Sequence, residues 1–184
     1  DEALREIARA QQLDPLSPAI RSNFATTYYH ARRYDEAILK FTATLDIEPQ
    51  FNPARAGLAL VYAEKGRLQE AMAVFQETLK ANPADTGVLA EIGRLYGMAG
   101  RTDEAKNTIA ELSRMSQRRY VSPYFIAVPY LGIGDKNQAF EWLEKACQDR
   151  SWPMVYLNVE PKFDPLRSDP RFQGLLKRVG LLKQ

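Results

Sequence analysis

The chain has 184 residues, 45% of them apolar and 26% charged, with a formal net charge of +2. That is the composition expected of a soluble globular chain, and so small a charge argues against a nucleic-acid or membrane surface. A single cysteine, Cys147, rules out an internal disulfide framework; a single histidine, His30, is too little for a histidine-based metal site; and no apolar run reaches the roughly 18 residues of a membrane helix.

Taken in chain order, the apolar periodicity predicts helices throughout. Residues 1–17 read as the second helix of a truncated N-terminal repeat, since Ala3 and Ile7 stand one period of 34 before Ala37 and Phe41. The chain does not open on Met, and the expectation is a protein that continues upstream. Helix pairs follow over roughly 18–31 and 35–48, 52–65 and 69–81, 86–99 and 103–116, then 121–133 and 136–149. They define repeats at 18–51, 52–85, 86–119 and 120–153, the last degenerate, with 154–184 as a capping segment.

The turns carry matching chemistry. Gly66, Gly100 and Gly134 stand where a helix must end in a left-handed residue, while Arg32 holds that slot in the first pair and predicts strain. Pro15, Pro49 and Pro83 close the second helices. Asn52, Asp35, Thr102 or Asp103, and Asp135 are expected to cap helix N-termini. Pro129, inside a helix, should kink or shorten it, and Asp169-Pro170 opens a last short helix. The aromatic and aliphatic residues of the tail, Trp152, Tyr156, Leu157, Phe163, Leu166, Phe172, Leu175, Leu176 and Val179, are expected to cover the open end of the last repeat.

Four columns recur at the 34-residue period. They are Tyr28, Tyr62, Tyr96 and Tyr130; Ala37, Ala71, Ala105 and Ala139; Phe41, Phe75, Ile109 and Leu143; and Gly66, Gly100 and Gly134. With these columns the chain resembles a tetratricopeptide array. The resemblance implies an all-α fold, a right-handed α-solenoid of helix-turn-helix repeats, and a non-catalytic protein-interaction scaffold. From Tyr120 to Leu181, and most of all over "FDPLRSDPRF" at Phe163 to Phe172, the chain is also similar to the C-terminal part of multidomain bacterial signalling proteins. In those, such repeats follow a winged-helix, serine/threonine kinase or nucleotide-cyclase domain. That likeness implies a regulatory, cytoplasmic context.

No catalytic constellation is found. "GIGD" at Gly132 to Asp135 falls on a repeat turn with no strand before it, so it reads as a turn and not a nucleotide loop. Cys147 and His30 lie in different repeats and make no nucleophile pair; Cys147 reads as a half-buried core residue. No cofactor or metal is implied. Arg114, Arg118, Arg119 and Tyr120 form a basic patch that is better read as helix-terminal surface than as a phosphate site, so nucleic acid is not an expected partner.

In resembling arrays the first helix of each pair lines a concave face. The matching positions here are Ala19, Ser22, Thr26 and Tyr29; Pro53, Ala56, Leu60 and Ala63; Gly87, Ala90, Arg94 and Gly97; and Val121, Tyr124, Val128 and Leu131. The carboxylate-gripping Lys and Asn of the chaperone-binding subgroup are replaced by Ser22, Thr26, Gly57, Gly87 and Glu91, so that activity is not implied. An apolar groove suits an amphipathic helix or an extended apolar peptide. Tyr29, Leu60, Arg94, Tyr124, Val128 and Leu131 are the expected contacts, with Arg94 meeting either a partner carboxylate or Glu64. The expected partner is a protein, a peptide or another domain of the same chain, and the alternative is a homodimer formed at the N-terminal open end.

Overall fold

A computed structural model describes residues 2–182. Among the described residues the chain is helix and turn throughout, with ten α-helices and two 3-10 segments. It divides into two compact units, Asp1–Thr78 and Leu79–Gln184. The N-terminal unit holds α1 (Glu2–Leu13), α2 (Pro18–His30), α3 (Tyr34–Leu45) and α4 (Asn52–Glu64); α5 (Leu68–Ala81) runs across the boundary. The C-terminal unit holds α6 (Thr86–Met98), α7 (Thr102–Ser116), α8 (Pro123–Ile133) and α9 (Lys136–Gln148). The two 3-10 segments, Trp152–Tyr156 and Pro161–Leu166, and α10 (Pro170–Arg178) complete it.

The alanine column explains how the hairpins close. Ala37, Ala71, Ala105 and Ala139 have no exposed surface, because a methyl group is all that fits where the two helices of a hairpin approach. Four residues on, Phe41, Phe75 and Leu143 are almost wholly buried and Ile109 is nearly so. In each pair the two residues lie one turn apart on one helix face.

Each hairpin turn is a repeated device that the tyrosine column only half announces. The backbone N–H groups of Arg33, Arg67 and Arg101 donate to the carbonyls of Tyr28, Tyr62 and Tyr96, at 2.9, 2.9 and 2.8 Å, closing the helix C-terminus. The same three guanidinium groups stack over the same three rings, at 4.7, 4.0 and 4.6 Å from the centroids. Each then pairs with a glutamate one turn into the next helix, Glu36, Glu70 and Glu104. In the fourth hairpin Asp135 takes the arginine's place; it donates its N–H to Tyr130 and caps α9 by accepting from the Gln138 N–H. The left-handed slot is filled by Gly66, Gly100 and Gly134, and by Arg32 at φ +59°, the backbone state predicted to be strained.

Several caps differ from expectation. Asn52 is the first helical residue of α4, so its own backbone is already helical; the cap position falls on Phe51, whose side chain accepts nothing. Arg33 and Arg101, not Asp35, Thr102 or Asp103, precede α3 and α7, since the chain enters those helices straight from the left-handed turn. Ser17, Asp85 and Ser122 cap α2, α6 and α8, while Asp135 and Asp169 cap as expected. Helix α8 runs through Pro129 with 11 residues against the 13 of α6. The Pro129 ring lies on α6, where a Cβ added to Gly93 would come within 2.9 Å of it. One turn on, a Cβ at Gly97 would fall on the Gly132 backbone, and one at Gly132 on the Arg94 carbonyl. The two helices therefore touch backbone to backbone.

In the C-terminal unit the tail is part of the core. Leu157, Phe163, Leu166, Phe172 and Leu175 are fully buried and Leu176 nearly so, against Ile126, Phe140, Leu143 and Ala146 of α8 and α9. Trp152 and Tyr156 are exceptions, being 65% and 43% exposed. The segment turns Pro153, Met154 and Leu157 inward, which leaves those two rings outside.

Candidate interaction surface

The six expected contact residues do not share one environment. In the N-terminal unit Tyr29 is 2% exposed and packs with Ala25, Ala37, Phe41, Ala54 and Val61, its ring 6.3 Å from that of Tyr34. It is a core residue. Leu60 is half-buried against the same cluster. Of its neighbouring face positions on α2 and α4, Thr26 and Ala56 are half-buried, Ala19 and Pro53 exposed, and Ser22 and Ala63 buried. Of these face positions Ala19, Thr26, Pro53, Ala56 and Leu60 remain open, and apart from Leu60 they are small.

In the C-terminal unit the corresponding face is covered by the chain itself. Tyr124 and Val128 are 4% and 1% exposed, Arg94 3%, and Leu131 is half-buried. The Tyr124 ring meets Phe163 of the second 3-10 segment edge-on, at 5.5 Å between centroids, and Phe163 in turn meets Phe172 of α10 at 6.3 Å. Gly97 is taken up by the α6–α8 contact and lines no groove.

A buried ionic cluster fastens this cover. Lys162, flanked by buried Pro161 and Phe163, forms an ion pair and hydrogen bond with the Glu91 carboxylate of α6, and stands 3.6 Å from Glu160. Arg94 Nε donates to the other oxygen of Glu91 at 2.8 Å, and Arg94 Nη1 lies 3.5 Å from the Met98 sulfur. Glu91, one turn earlier on the same helix, is thus a carboxylate partner of Arg94. Burial alone would raise the Glu91 carboxyl, but the charges of Lys162 and Arg94 outweigh it and hold it below the usual carboxylate value. Burial likewise pushes the Lys162 ammonium down, and Glu160 and Glu91 more than reverse that, raising it. For Tyr124 burial dominates and the phenol is pushed up, so it stays neutral.

Sequence reasoning missed Lys162. Its one local signal is a lysine set between a proline and a phenylalanine in an apolar stretch, and its partner lies 71 residues away. A shallow cleft of about 370 Å³ between α6 and α7 is lined by Leu89, Tyr96, Thr108 and the carboxylates Glu104 and Glu111. Those carboxylates are already paired, with Arg101 at 2.7 Å and Arg114 at 3.5 Å. Cys147 is half-buried against the C-terminal core. Among the described residues no group of three or more His, Cys, Asp or Glu side chains could hold a metal ion, and no helix is long and apolar enough to cross a membrane.

Two tetratricopeptide repeat family models match the chain, one over residues 1–53 and 24–86, the other over 62–121. No curated protein matches it. Among solved structures, a tetratricopeptide repeat protein from Parabacteroides merdae is similar at 15% identity with a TM-score of 0.55, over 99% of this chain and 73% of that one. MamA is similar at 17% identity with a TM-score of 0.53, over 83% and 90%. YrrB, described as a tetratricopeptide protein with an unusual peptide-binding site, is similar at 13% identity with a TM-score of 0.52, over 94% and 90%. At these identities the likeness is one of fold. With the 34-residue columns, the closed Tyr–Arg–Glu turns and family models running from residue 1 to 121, the chain belongs to the tetratricopeptide repeat family.

Proposed function

We propose that the chain is a protein-interaction scaffold that receives a peptide or protein segment on the face of α2 and α4, as a regulatory part of a larger bacterial signalling or transcription-regulatory protein. Tetratricopeptide repeats generally mediate protein–protein contact, and the similar YrrB carries a peptide-binding site. The observation that carries the reading is the contrast between the units. Small and apolar face positions stay open on α2 and α4, while the matching ones on α6 and α8 are closed by the chain's own Lys162 and Phe163. The regulatory setting rests on the likeness of residues 120–181 to signalling proteins, strongest over Phe163 to Phe172.

An open face of this kind suits an amphipathic helix or an extended apolar segment. Binding is tested on a peptide array with the full chain, Ala56→Arg and Leu60→Asp. Each variant is expected to weaken capture by about 1–3 kcal/mol with unchanged far-UV circular dichroism. Moderate salt should change little, because an apolar contact is poorly screened. A ligand retained equally by both variants, or lost steeply with salt, overturns the assignment of this face. A second reading, self-association, is favoured by Leu13 and Leu16, both largely exposed near the start of the N-terminal unit. Light scattering on the same samples separates the two.

A further inference from the structure

The first 3-10 segment shows the solvent a row of large apolar side chains that the core does not use. Pro153, Met154 and Leu157 anchor it inward, while Trp152, Val155, Tyr156 and Val159 face outward at spacings of three, four and seven, the first two 65% and 61% exposed. The Trp152 and Tyr156 rings meet edge to face at 6.3 Å, so the row is ordered and not a scatter of loose tips. Tyr120, 68% exposed, joins it: its hydroxyl hydrogen-bonds Ser151 Oγ at 3.1 Å. An aromatic and aliphatic row this continuous on the outside of a small unit marks a contact surface.

The charge around the row specifies the partner. Arg118 and Arg119 immediately precede Tyr120 in the chain, and Arg150 precedes Ser151, all three exposed. Among the described residues neither Arg118 nor Arg150 enters an ion pair; Arg119 donates to the Ala84 carbonyl and also keeps its charge unpaired by a carboxylate. Of the nearby carboxylates, Glu160 is turned toward Lys162, which leaves Asp149 beside Arg150. Three exposed arginines, against one exposed carboxylate, therefore adjoin Tyr120 and Ser151 in the chain. Arginine and aromatic side chains together are the residue types that dominate binding hot spots.

We propose that this surface docks an acidic amphipathic helix, whose aromatic or aliphatic stripe covers Trp152, Val155 and Tyr120 while its flanking Asp or Glu residues meet Arg118, Arg119 and Arg150. A nucleic acid fits less well. Three cations make a short electrostatic track, and Val155 and Val159, which interrupt and end the row, offer no stacking plane. The surface lies within the C-terminal unit and is independent of the face on α2 and α4.

The test uses the full chain and fluorescence anisotropy of three labelled probes. One is a synthetic helical peptide with a Leu/Phe stripe flanked by Asp and Glu; the second has the same stripe flanked by Lys; the third is a single-stranded oligonucleotide. The acidic peptide is expected to bind, and Trp152→Ser or Tyr120→Ser to weaken it roughly tenfold, the size of a hot-spot truncation. Arg118→Glu with Arg150→Glu should weaken it to a similar extent and flatten its salt dependence, while Ala56→Arg leaves it unchanged. The variants sit on exposed side chains, and unchanged melting curves would show that they fold. Equal binding of the acidic and basic peptides, preference for the oligonucleotide, or no binding by the acidic peptide would each overturn the proposal. So would a wild-type dimer in light scattering that Trp152→Ser converts to monomer without affecting peptide capture.

Discussion

Glu91 keeps its negative charge at 7% exposure because two cations stand against it, Lys162 from the tail and Arg94 from its own helix. Breaking such a cluster is costly in proportion to the charge left behind. Glu91→Ala removes the carboxylate shared by two buried cations, and is expected to destabilise the protein by about 3–5 kcal/mol in urea unfolding. Lys162→Met leaves Glu91 still paired with Arg94 and should cost clearly less; equal losses would mean the cluster does not act as described. The pH dependence follows the same groups. Glu91 titrates below its ordinary 4.5 in the folded state, so its contribution is present above that value and is lost as pH falls through the depressed one. Lys162 titrates above its ordinary 10.5, so its contribution is present below that value and is lost as pH rises beyond it. Removing Lys162 should therefore flatten the alkaline limb of the stability profile and weaken the acid limb, where Arg94 still acts.

At the level of the element, the pair α6 and α8 depends on absent side chains. A Cβ at Gly132 would collide with the Arg94 carbonyl, and backbone cannot move aside as a flexible side chain can. Gly132→Ala is expected to cost about 1–3 kcal/mol through forced separation of the two helices. Gly174 provides the control. It sits inside α10 with nothing within 4 Å of an added Cβ, so Gly174→Ala should stabilise by up to about 1 kcal/mol through helix propensity alone. Thermal melts of both variants check the pair, and the same sign for the two would refute the close-approach account. These helices were legible in the sequence because the Tyr28 and Ala37 columns repeat every 34 residues. The role of Gly97 and Gly132 was not, since a glycine that permits backbone contact and a glycine that lines a groove read alike until the neighbouring helix is placed.

Across the whole molecule, local pattern told the repeats from the tail and set the tail over the last repeat, but did not say which side chains it would meet there. Lys162 and Glu91 are 71 residues apart with no periodicity to link them, and Trp152 and Tyr156 read as cap residues because a large aromatic in the tail looks the same whether it turns inward or outward. For the same reason Tyr124 and Val128 read as groove positions, although Phe163 closes over the first of them. The tail's structural weight can be tested directly by ending the chain at Glu160. That removes Lys162 and the buried side chains of Phe163, Leu166, Phe172, Leu175 and Leu176. Each large apolar side chain contributes roughly 1.5–3 kcal/mol when buried, so five together match the 5–15 kcal/mol by which a domain is typically stable. The C-terminal unit is then expected to lose cooperative folding and aggregate through the uncovered Tyr124, Phe140 and Leu143. Hydrogen exchange read by mass spectrometry should show protection lost over α6 to α9 but largely kept over α2 to α4, whose core of Tyr29, Phe41 and Val61 is untouched by the deletion. A truncated chain that stays monomeric with full protection over α6 to α9 would show that the tail rests on this unit without holding it together.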